Sequence, residues 1–251
     1  MDLQLEGKTA LVTGASSIGL GRAIAIGLAR EGARVAITAR RAPLLRELAQ
    51  EITAAGFIEP VVIAADLYDQ ETPAKLAQST REHLGRVDIL VNAAGGSRPT
   101  TFDAPPELWT EAMTLNFFRL RALTHAVVAG MVAHGWGRVI SLTGTSEPYN
   151  TNAANPSKAA VHAWSKGLSR EVAKSGVTVN CIQPGRLTSE QMLRMYPTEE
   201  KRRAFTQEVP IGRFGDPDEL ADLAIFLASP RASYITGTVI PVDGGLSRFA
   251  F

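Results

Sequence analysis

The chain has 251 residues, of which 45% are hydrophobic, and its 26 basic and 25 acidic residues give a formal net charge of +1. This balance gives no reason to expect nucleic acid or an anionic membrane as a partner. A single cysteine, Cys181, excludes an intramolecular disulfide and favours a reducing compartment. The short polar segment 1–8 and the absence of an apolar run of about 18–20 residues predict a soluble, cytoplasmic protein without a membrane segment.

Short apolar runs, typical of buried parallel strands, alternate with segments of helical periodicity along the whole chain. The predicted strands are 8–13, 34–38, 60–65, 87–92, 137–143, 178–182 and 239–242. The predicted helices are 22–31, 44–55, 72–84, 108–133, 157–174 and 217–228. This alternation predicts an α/β fold with a parallel sheet whose strand ends lie on one rim. Because no linker or repeat divides the sequence, a single domain spanning 1–251 is expected.

The turn between the first strand and the first helix is rich in glycine and serine. A helix N-terminus presents free N–H groups to an anion, and glycines allow the backbone to approach a pyrophosphate closely. The position of the turn at the first strand–helix junction predicts a dinucleotide-binding loop. Its candidate contact residues are Gly14, Ser16, Ser17, Ile18, Gly19, Leu20 and Gly21.

The end of the second strand indicates which dinucleotide is bound. It reads Thr38-Ala39-Arg40-Arg41 and contains no carboxylate that could take the ribose hydroxyls of NAD. A guanidinium can form charge-assisted bonds to a 2′-phosphate, so NADP(H) is preferred over NAD(H). The alternative is that Arg40 and Arg41 only solvate a surface loop.

Two stretches resemble motifs of the short-chain dehydrogenase/reductase family. Thr13-Gly14 followed by Gly19-Leu20-Gly21 is similar to the TGxxxGxG turn of that family, with one extra residue between Gly14 and Gly19. The turn is also similar to the longer one of the enoyl reductase branch. Asp88 to Gly95 (DILVNAAG) resembles the family's NNAG segment, with Ala93 in place of the second asparagine. The resemblance extends from 7 to 245 and implies a Rossmann-type doubly wound sheet in three αβα layers.

The resemblance also implies further cofactor contacts. Asp66 and Leu67 follow the third strand, where the family's aspartate binds the adenine amino group; a strand-end aspartate that caps a turn is the alternative. The segment 184–188 resembles the family's PGxxxT turn, which meets the nicotinamide. The implied contact residues after the fourth and sixth strands are Asn92, Ala93, Ala94, Gly95, Pro184, Gly185, Leu187 and Thr188.

The catalytic pattern of the family is only partly present. Family members use a tyrosine as acid/base, a lysine that lowers its pKa and holds the nicotinamide ribose, a serine and an asparagine. Asn116 matches the asparagine, and Lys158 matches the lysine. The tyrosine position, four residues before Lys158, holds Ala154, whose methyl group cannot donate a proton. The usual serine position falls on Gly144.

Several neighbouring groups are candidates for the missing hydroxyls. Thr143, Thr145 and Ser146 flank the serine position. Tyr149 lies nine residues before Lys158 and could replace the missing acid, or it could be a loop tyrosine that only lines the pocket.

The polar segment 188–209 is expected to be a substrate lid. Its apolar side chains, which indicate a partly apolar pocket, are Met192, Leu193, Met195 and Tyr196. The four histidines have no metal-ligand spacing, so no metal site is expected. The segments 213–217 and 235–245 resemble family ends that build a homotetramer or homodimer interface.

The sequence therefore predicts an NADP(H)-dependent oxidoreductase that interconverts a carbonyl and an alcohol on a small, partly apolar substrate. Its proton donor is non-standard, with Tyr149, a loop hydroxyl or a water as candidates. Two alternatives stay open: a non-redox lyase, isomerase or hydratase on the same scaffold, and a catalytically silent NADP-binding protein. Fold resemblance alone does not decide among these chemistries.

Overall fold

A parallel sheet of seven strands forms the centre of the computed structural model, which describes residues 1–148 and 150–249. The strand order is β3-β2-β1-β4-β5-β6-β7, and every neighbouring pair is parallel. The strands are β1 (Thr9–Thr13), β2 (Arg34–Ala39), β3 (Val61–Ala64), β4 (Ile89–Asn92), β5 (Gly137–Leu142), β6 (Val177–Pro184) and β7 (Val239–Val242). The Rossmann-type doubly wound fold predicted from the sequence is confirmed.

Helices cover both faces of this sheet. They are α1 (Leu20–Arg30), α2 (Ala42–Ala54), α3 (Thr72–Leu84), α4 (Pro106–Met113), α5 (Leu120–His134), α6 (Ala154–Val172), α7 (Glu190–Met195), α8 (Glu199–Thr206) and α9 (Pro217–Ala228). Successive strand residues point to opposite faces, which divides the core. In β1, Ala10 and Val12 pack with α1, α2 and α9, whereas Leu11 packs with α3 and α5.

The sequence predicted one helix over 108–133, and the structure divides this region. A π-helical segment, Thr114–Arg119, separates α4 from α5. The buried side chain of Asn116 lies inside it, with Nδ2 donating to the carbonyl of Ala112 at 2.9 Å and Oδ1 accepting from the N–H of Gly96 at 3.0 Å. Single π turns inside α-helices often occur at functional sites.

The segment 188–209 contains two short helices, α7 and α8. The hydroxyl of Ser189 accepts the N–H of Met192 at 3.2 Å, and that of Thr198 accepts the N–H of Lys201 at 3.3 Å. Serine and threonine at these N-caps satisfy backbone donors that a short helix leaves unpaired. Within the ranges 1–148 and 150–249, no helix has the length and apolar character needed to cross a bilayer.

The buried carboxylate of Asp88 joins the beginnings of β1 and β4. Its Oδ2 accepts the N–H and the hydroxyl of Thr9, both at 3.0 Å, and its Oδ1 lies 2.9 Å from Nε of Arg86. A buried donor that loses its acceptor costs about 1–3 kcal/mol. Asp88 therefore stabilises the central strand pair.

The substitution Asp88→Ala should lower the free energy of unfolding by about 2–4 kcal/mol, because it leaves the Thr9 donors buried without an acceptor. Equilibrium urea unfolding followed by circular dichroism measures the change. Asp222→Ala, at an exposed position of α9, is the control and should change the value by no more than about 0.5 kcal/mol. Equal effects of the two substitutions would contradict this role of Asp88.

Candidate active site

A cleft of about 1220 Å³ opens above the carboxyl ends of β1, β2, β4, β5 and β6. It crosses the position where the strand order reverses between β1 and β4, which is where ligands bind in open α/β sheets. The cleft exceeds the roughly 300–1,000 Å³ of sites for drug-sized ligands. Its lining includes these residues predicted to contact a dinucleotide: Gly14, Ser16, Ser17, Ile18, Gly19, Leu20, Gly21, Arg40, Arg41, Asp66, Leu67, Ala93, Ala94, Gly95, Lys158, Pro184, Gly185 and Leu187.

Two of the predicted cofactor residues are not part of this lining. Asn92 is buried, and its Nδ2 donates to the hydroxyls of Thr124 at 3.0 Å and Ser141 at 3.3 Å. Asn92 thus connects β4 with β5 and α5, because its side chain points away from the rim. The backbone N–H of Thr188 donates to the carbonyl of Gly215 at 2.9 Å.

The glycine turn fits closely against the loop after β4. Gly14 has φ +70°, and a Cβ there would lie 2.8 Å from the backbone nitrogen of Ala94. A Cβ on Gly21 would lie 2.6 Å from the carbonyl oxygen of Gly14. The hydroxyl of Thr13 accepts the N–H groups of Ala93 at 3.0 Å and Ala94 at 2.9 Å. Larger residues at Gly14 or Gly21 would push the turn and the β4 loop apart.

The same turn presents polar groups that suit an anionic nucleotide. Helix α1 begins after Gly19 without a side-chain cap, so its first N–H groups face the cleft unpaired by any side chain. At the end of β2, the buried hydroxyl of Thr38 has no hydrogen-bond partner in the described part of the chain. Buried polar groups are usually paired, so this hydroxyl is an exception in the wall of the cleft.

The groups around Lys158 converge above Gly95. A Cβ built on Gly95 would lie 2.8 Å from Oδ1 of Asn116 and 3.3 Å from Nζ of Lys158. The ammonium donates to the carbonyl of Leu142 at 3.3 Å. Burial lowers the pKa of Lys158 to about 8, because it disfavours the charged form. The pKa of this amine is therefore closer to neutral pH than that of an exposed lysine.

The residues that flank this amine are small. Ala154 is the first residue of α6, one helical turn before Lys158, and its methyl group is buried in the cleft wall. A Cβ on Gly144 would lie 3.0 Å from Cδ of Lys158. No side chain from either position stands between the ammonium and the cleft.

The hydroxyl of Thr143 is used inside the protein. It donates to the carbonyl of Ile182 at 3.2 Å and lies 2.7 Å from Nε2 of His162. Burial, followed by the nearby charge of Lys158, lowers the pKa of His162. Thr143 therefore anchors the end of β5 to β6 and α6.

The hydroxyls of Ser146 and Thr145 differ in whether their own proton has a hydrogen-bond acceptor. Ser146 donates to Oε1 of Gln183 at 2.8 Å. Thr145 accepts the N–H of Glu147 at 3.0 Å, and within the described residues its own proton has no acceptor. Tyr149, the predicted replacement acid, lies outside the described residues.

The 188–209 segment covers the other side of the cleft with aromatic and apolar side chains. Met192, Met195 and Tyr196 line the cleft, and Leu193 is partly exposed outside this lining. The ring of Tyr196 stacks on Phe205 with centroids 4.1 Å apart.

Sequence reasoning missed Arg186 and the C-terminal residues. The nearly buried guanidinium of Arg186 lies 3.6 Å above the Phe205 ring and pairs with Glu208. Glu147 accepts the N–H groups of Arg248 at 3.0 Å and Phe249 at 3.1 Å, which brings the chain end to the cleft. The only sequence signal was the unusual arginine inside an otherwise apolar turn.

Comparisons with known proteins place this architecture in a family. Residues 14–247 match the family model described as enoyl-(acyl carrier protein) reductase. The chain is 36% identical to the 3-oxoacyl-acyl-carrier-protein reductase FabG of Pseudomonas aeruginosa over 251 residues, covering 97% of this chain and 99% of the relative. It is 37% identical to the L-tagatose-forming galactitol 2-dehydrogenase of Cereibacter sphaeroides, with 96% of each chain covered.

A solved structure agrees with these relatives. The L-sorbose reductase of Gluconobacter frateurii, complexed with NADPH and L-sorbose, superposes with a TM-score of 0.92 at 33% identity, covering 99% of this chain and 100% of that one. The chain belongs to the short-chain dehydrogenase/reductase family, as its motifs indicated. It is an oxidoreductase of that type.

Gly21→Ala should lower the free energy of unfolding by about 1–3 kcal/mol, because the new methyl group would overlap the Gly14 carbonyl. Thermal and urea unfolding measure the loss. Gly130→Ala, on the exposed face of α5 with nothing within 4 Å of the new Cβ, is the matched control. It should be neutral or stabilising by up to about 1 kcal/mol. An unchanged free energy of unfolding in Gly21→Ala would show that the turn has room for a methyl group, and this would contradict the close contact with the Gly14 carbonyl.

Proposed function

We propose that this oxidoreductase uses NADP(H) to interconvert a carbonyl and an alcohol on a small, partly apolar substrate, with a non-standard proton donor. The observation that carries the proposal is that Lys158, which lines the cleft that begins at the glycine turn, and the buried Asn116 both lie close to Gly95. An amine at this place in the cleft would be suited to holding the ribose of a nucleotide and to exchanging a proton with the substrate beside it.

The residues that follow β1 and β2 fit the adenosine half of a dinucleotide that carries a 2′-phosphate. The turn from Gly14 to Gly21 and the start of α1 would hold the pyrophosphate. Arg40 and Arg41 would bind the 2′-phosphate. When bound, the cofactor supplies or accepts a hydride. The NADPH in the L-sorbose reductase structure supports this assignment.

The proton that reduction requires would come from Lys158. Hydride addition to a carbonyl carbon leaves negative charge on the oxygen, which must be neutralised within hydrogen-bond reach. An ammonium with a pKa of about 8 stabilises that charge and can release its proton near neutral pH. The hydroxyl proton of Thr145 has no acceptor within the described residues and would orient the substrate oxygen. It would take the role of the family's serine, whose position holds Gly144.

Ala154 favours a second candidate function. A methyl group at the position that resembles the family's tyrosine site is compatible with an NADP-binding protein that has lost its turnover. That candidate predicts NADPH binding without oxidation of NADPH by any carbonyl compound. In that case Ala154→Tyr would create reductase activity. The first candidate instead predicts that the wild-type chain already consumes NADPH when a suitable carbonyl compound is present.

The rate of carbonyl reduction should fall as pH rises through about 8. Burial lowers the pKa of Lys158 to about that value, so the amine loses the required proton above it, and alcohol oxidation should show the opposite trend. Steady-state kcat/KM for NADPH consumption, measured from pH 6 to 10, tests this. A profile that is flat to about pH 10, the region of an ordinary tyrosine, would exclude Lys158 as the donor.

Lys158→Ala should reduce kcat by about 10²–10⁴-fold, the range of a general acid. The control is Lys174→Ala, an exposed lysine just beyond the end of α6, which should retain full activity. Activity retained in Lys158→Ala would remove this amine from the reaction.

Tyr149→Phe separates the two candidate donors. If Lys158 donates the proton, this variant should keep kcat within about twofold of the wild type. A loss of about 100-fold or more would assign the proton to the Tyr149 hydroxyl. Tyr234→Phe, which alters a fully exposed ring, controls for the general loss of a phenol.

A further inference from the structure

An ion pair joins the end of β2 to the start of α7 across the mouth of the cleft. Arg41 follows β2 and Glu190 opens α7, 149 positions later in the chain. The guanidinium donates two hydrogen bonds to the carboxylate, from Nη1 to Oε1 at 2.8 Å and from Nη2 to Oε2 at 2.6 Å. Two-point pairing of this kind fixes both the position and the orientation of the two groups.

The backbone beside this carboxylate rests on the glycine turn. The N–H of Glu190 donates to the carbonyl of Ile18 at 2.9 Å, and the Cβ of Ser189 lies 3.2 Å from where a Cβ on Gly19 would be. The hydrogen bonds from Arg41 hold the pKa of the Glu190 carboxyl below its usual value, so the group is ionised at neutral pH. Helix α7 therefore starts over the turn with a negative charge directed at Arg41.

This pair uses two of the five N–H donors of Arg41, one from each Nη group, which together form a two-point face for a phosphate. Both Nη groups of Arg41 are engaged, while the side chain of Arg40 has no hydrogen bond or ion pair within the described ranges. A phosphate at Arg41 must displace the Glu190 carboxylate or lie beside it, where like charges repel. An unphosphorylated ribose carries no charge and leaves the pair intact.

The pair is weak enough to be exchanged. The two side chains are 46% and 43% exposed, and exposed ion pairs contribute little. A phosphate monoester carries about two negative charges near neutral pH and offers three acceptor oxygens, so it competes well for the same guanidinium.

We propose that Glu190 is a specificity-determining residue of the cofactor site. It holds Arg41 until a 2′-phosphate takes its place, and it thereby weakens the binding of NADP(H) relative to NAD(H). The inference rests on the proposed function, because it needs a dinucleotide whose adenosine end lies near Arg41. It also gives the first turn of α7 a part in distinguishing the two cofactors.

Glu190→Gln keeps the length of the side chain and removes its charge. NADPH and NADH, which differ only in the 2′-phosphate, are titrated into the full-length chain without substrate, and their dissociation constants are read from nicotinamide fluorescence. We expect NADPH to bind about fivefold more tightly to the variant, the factor equivalent to about 1 kcal/mol for an exposed pair, with NADH unchanged. Glu199→Gln, which removes a charge from α8 in the same segment, is the control and should alter neither constant.

A double-mutant cycle assigns the effect to Arg41. In an Arg41→Ala background, Glu190→Gln releases no guanidinium, so most of the NADPH gain should vanish. An unchanged ratio of the two constants, the same gain without Arg41, or weaker NADH binding in Glu190→Gln overturns the proposal. If the wild-type chain binds neither nucleotide, the proposed cofactor function fails as well, whereas binding with an unaltered ratio removes only the role of Glu190.

Discussion

The close contact between the glycine turn and the loop after β4 is the constraint on which the cleft depends. β1 and β4 are neighbours in the sheet, so the loops that follow them meet at the same rim. They can approach this closely because Gly14 has no side chain and because the Thr13 hydroxyl satisfies two N–H groups of the β4 loop. The result is a cleft that begins at the glycine turn and continues past the loop after β4.

Lys158 is flanked by two small residues, Ala154 and Gly144. With a methyl group at Ala154 and no side chain at Gly144, the lysine stem lies against Gly144 and its ammonium lies near Asn116. The amine is desolvated, which is why its pKa falls to about 8. The lysine that assists a tyrosine in members of the resembled family therefore stands here beside a methyl group, with a pKa below its ordinary value.

The sequence was informative where a pattern is local. Hydrophobic periodicity located the seven strands, and α3, α9 and β7 begin and end at the predicted residues. Glycine spacing located the turn, because a positive φ or a crowded backbone requires glycine whatever the rest of the chain does. These features depend on residues that are neighbours in the chain, so periodicity and turn chemistry are sufficient to find them.

Features that depend on distant side chains could not be read in this way. The direction of the Asn92 amide follows from its strand register, and Asn116 in the π turn accepts a hydrogen bond from the loop after β4. The Thr143 hydroxyl points into the protein, where the Ile182 carbonyl on β6 and His162 on α6 are both close to it. No spacing rule encodes these partners.

The 188–209 segment shows how such distant contacts combine. It is held at the glycine turn through the carbonyl of Ile18, at the end of β2 through Arg41, and at the end of β6 through Arg186. Two of these three contacts are charged pairs between arginines of the sheet rim and glutamates of the segment. Charge therefore contributes to holding the segment at the sheet rim, because two of these three contacts are ion pairs.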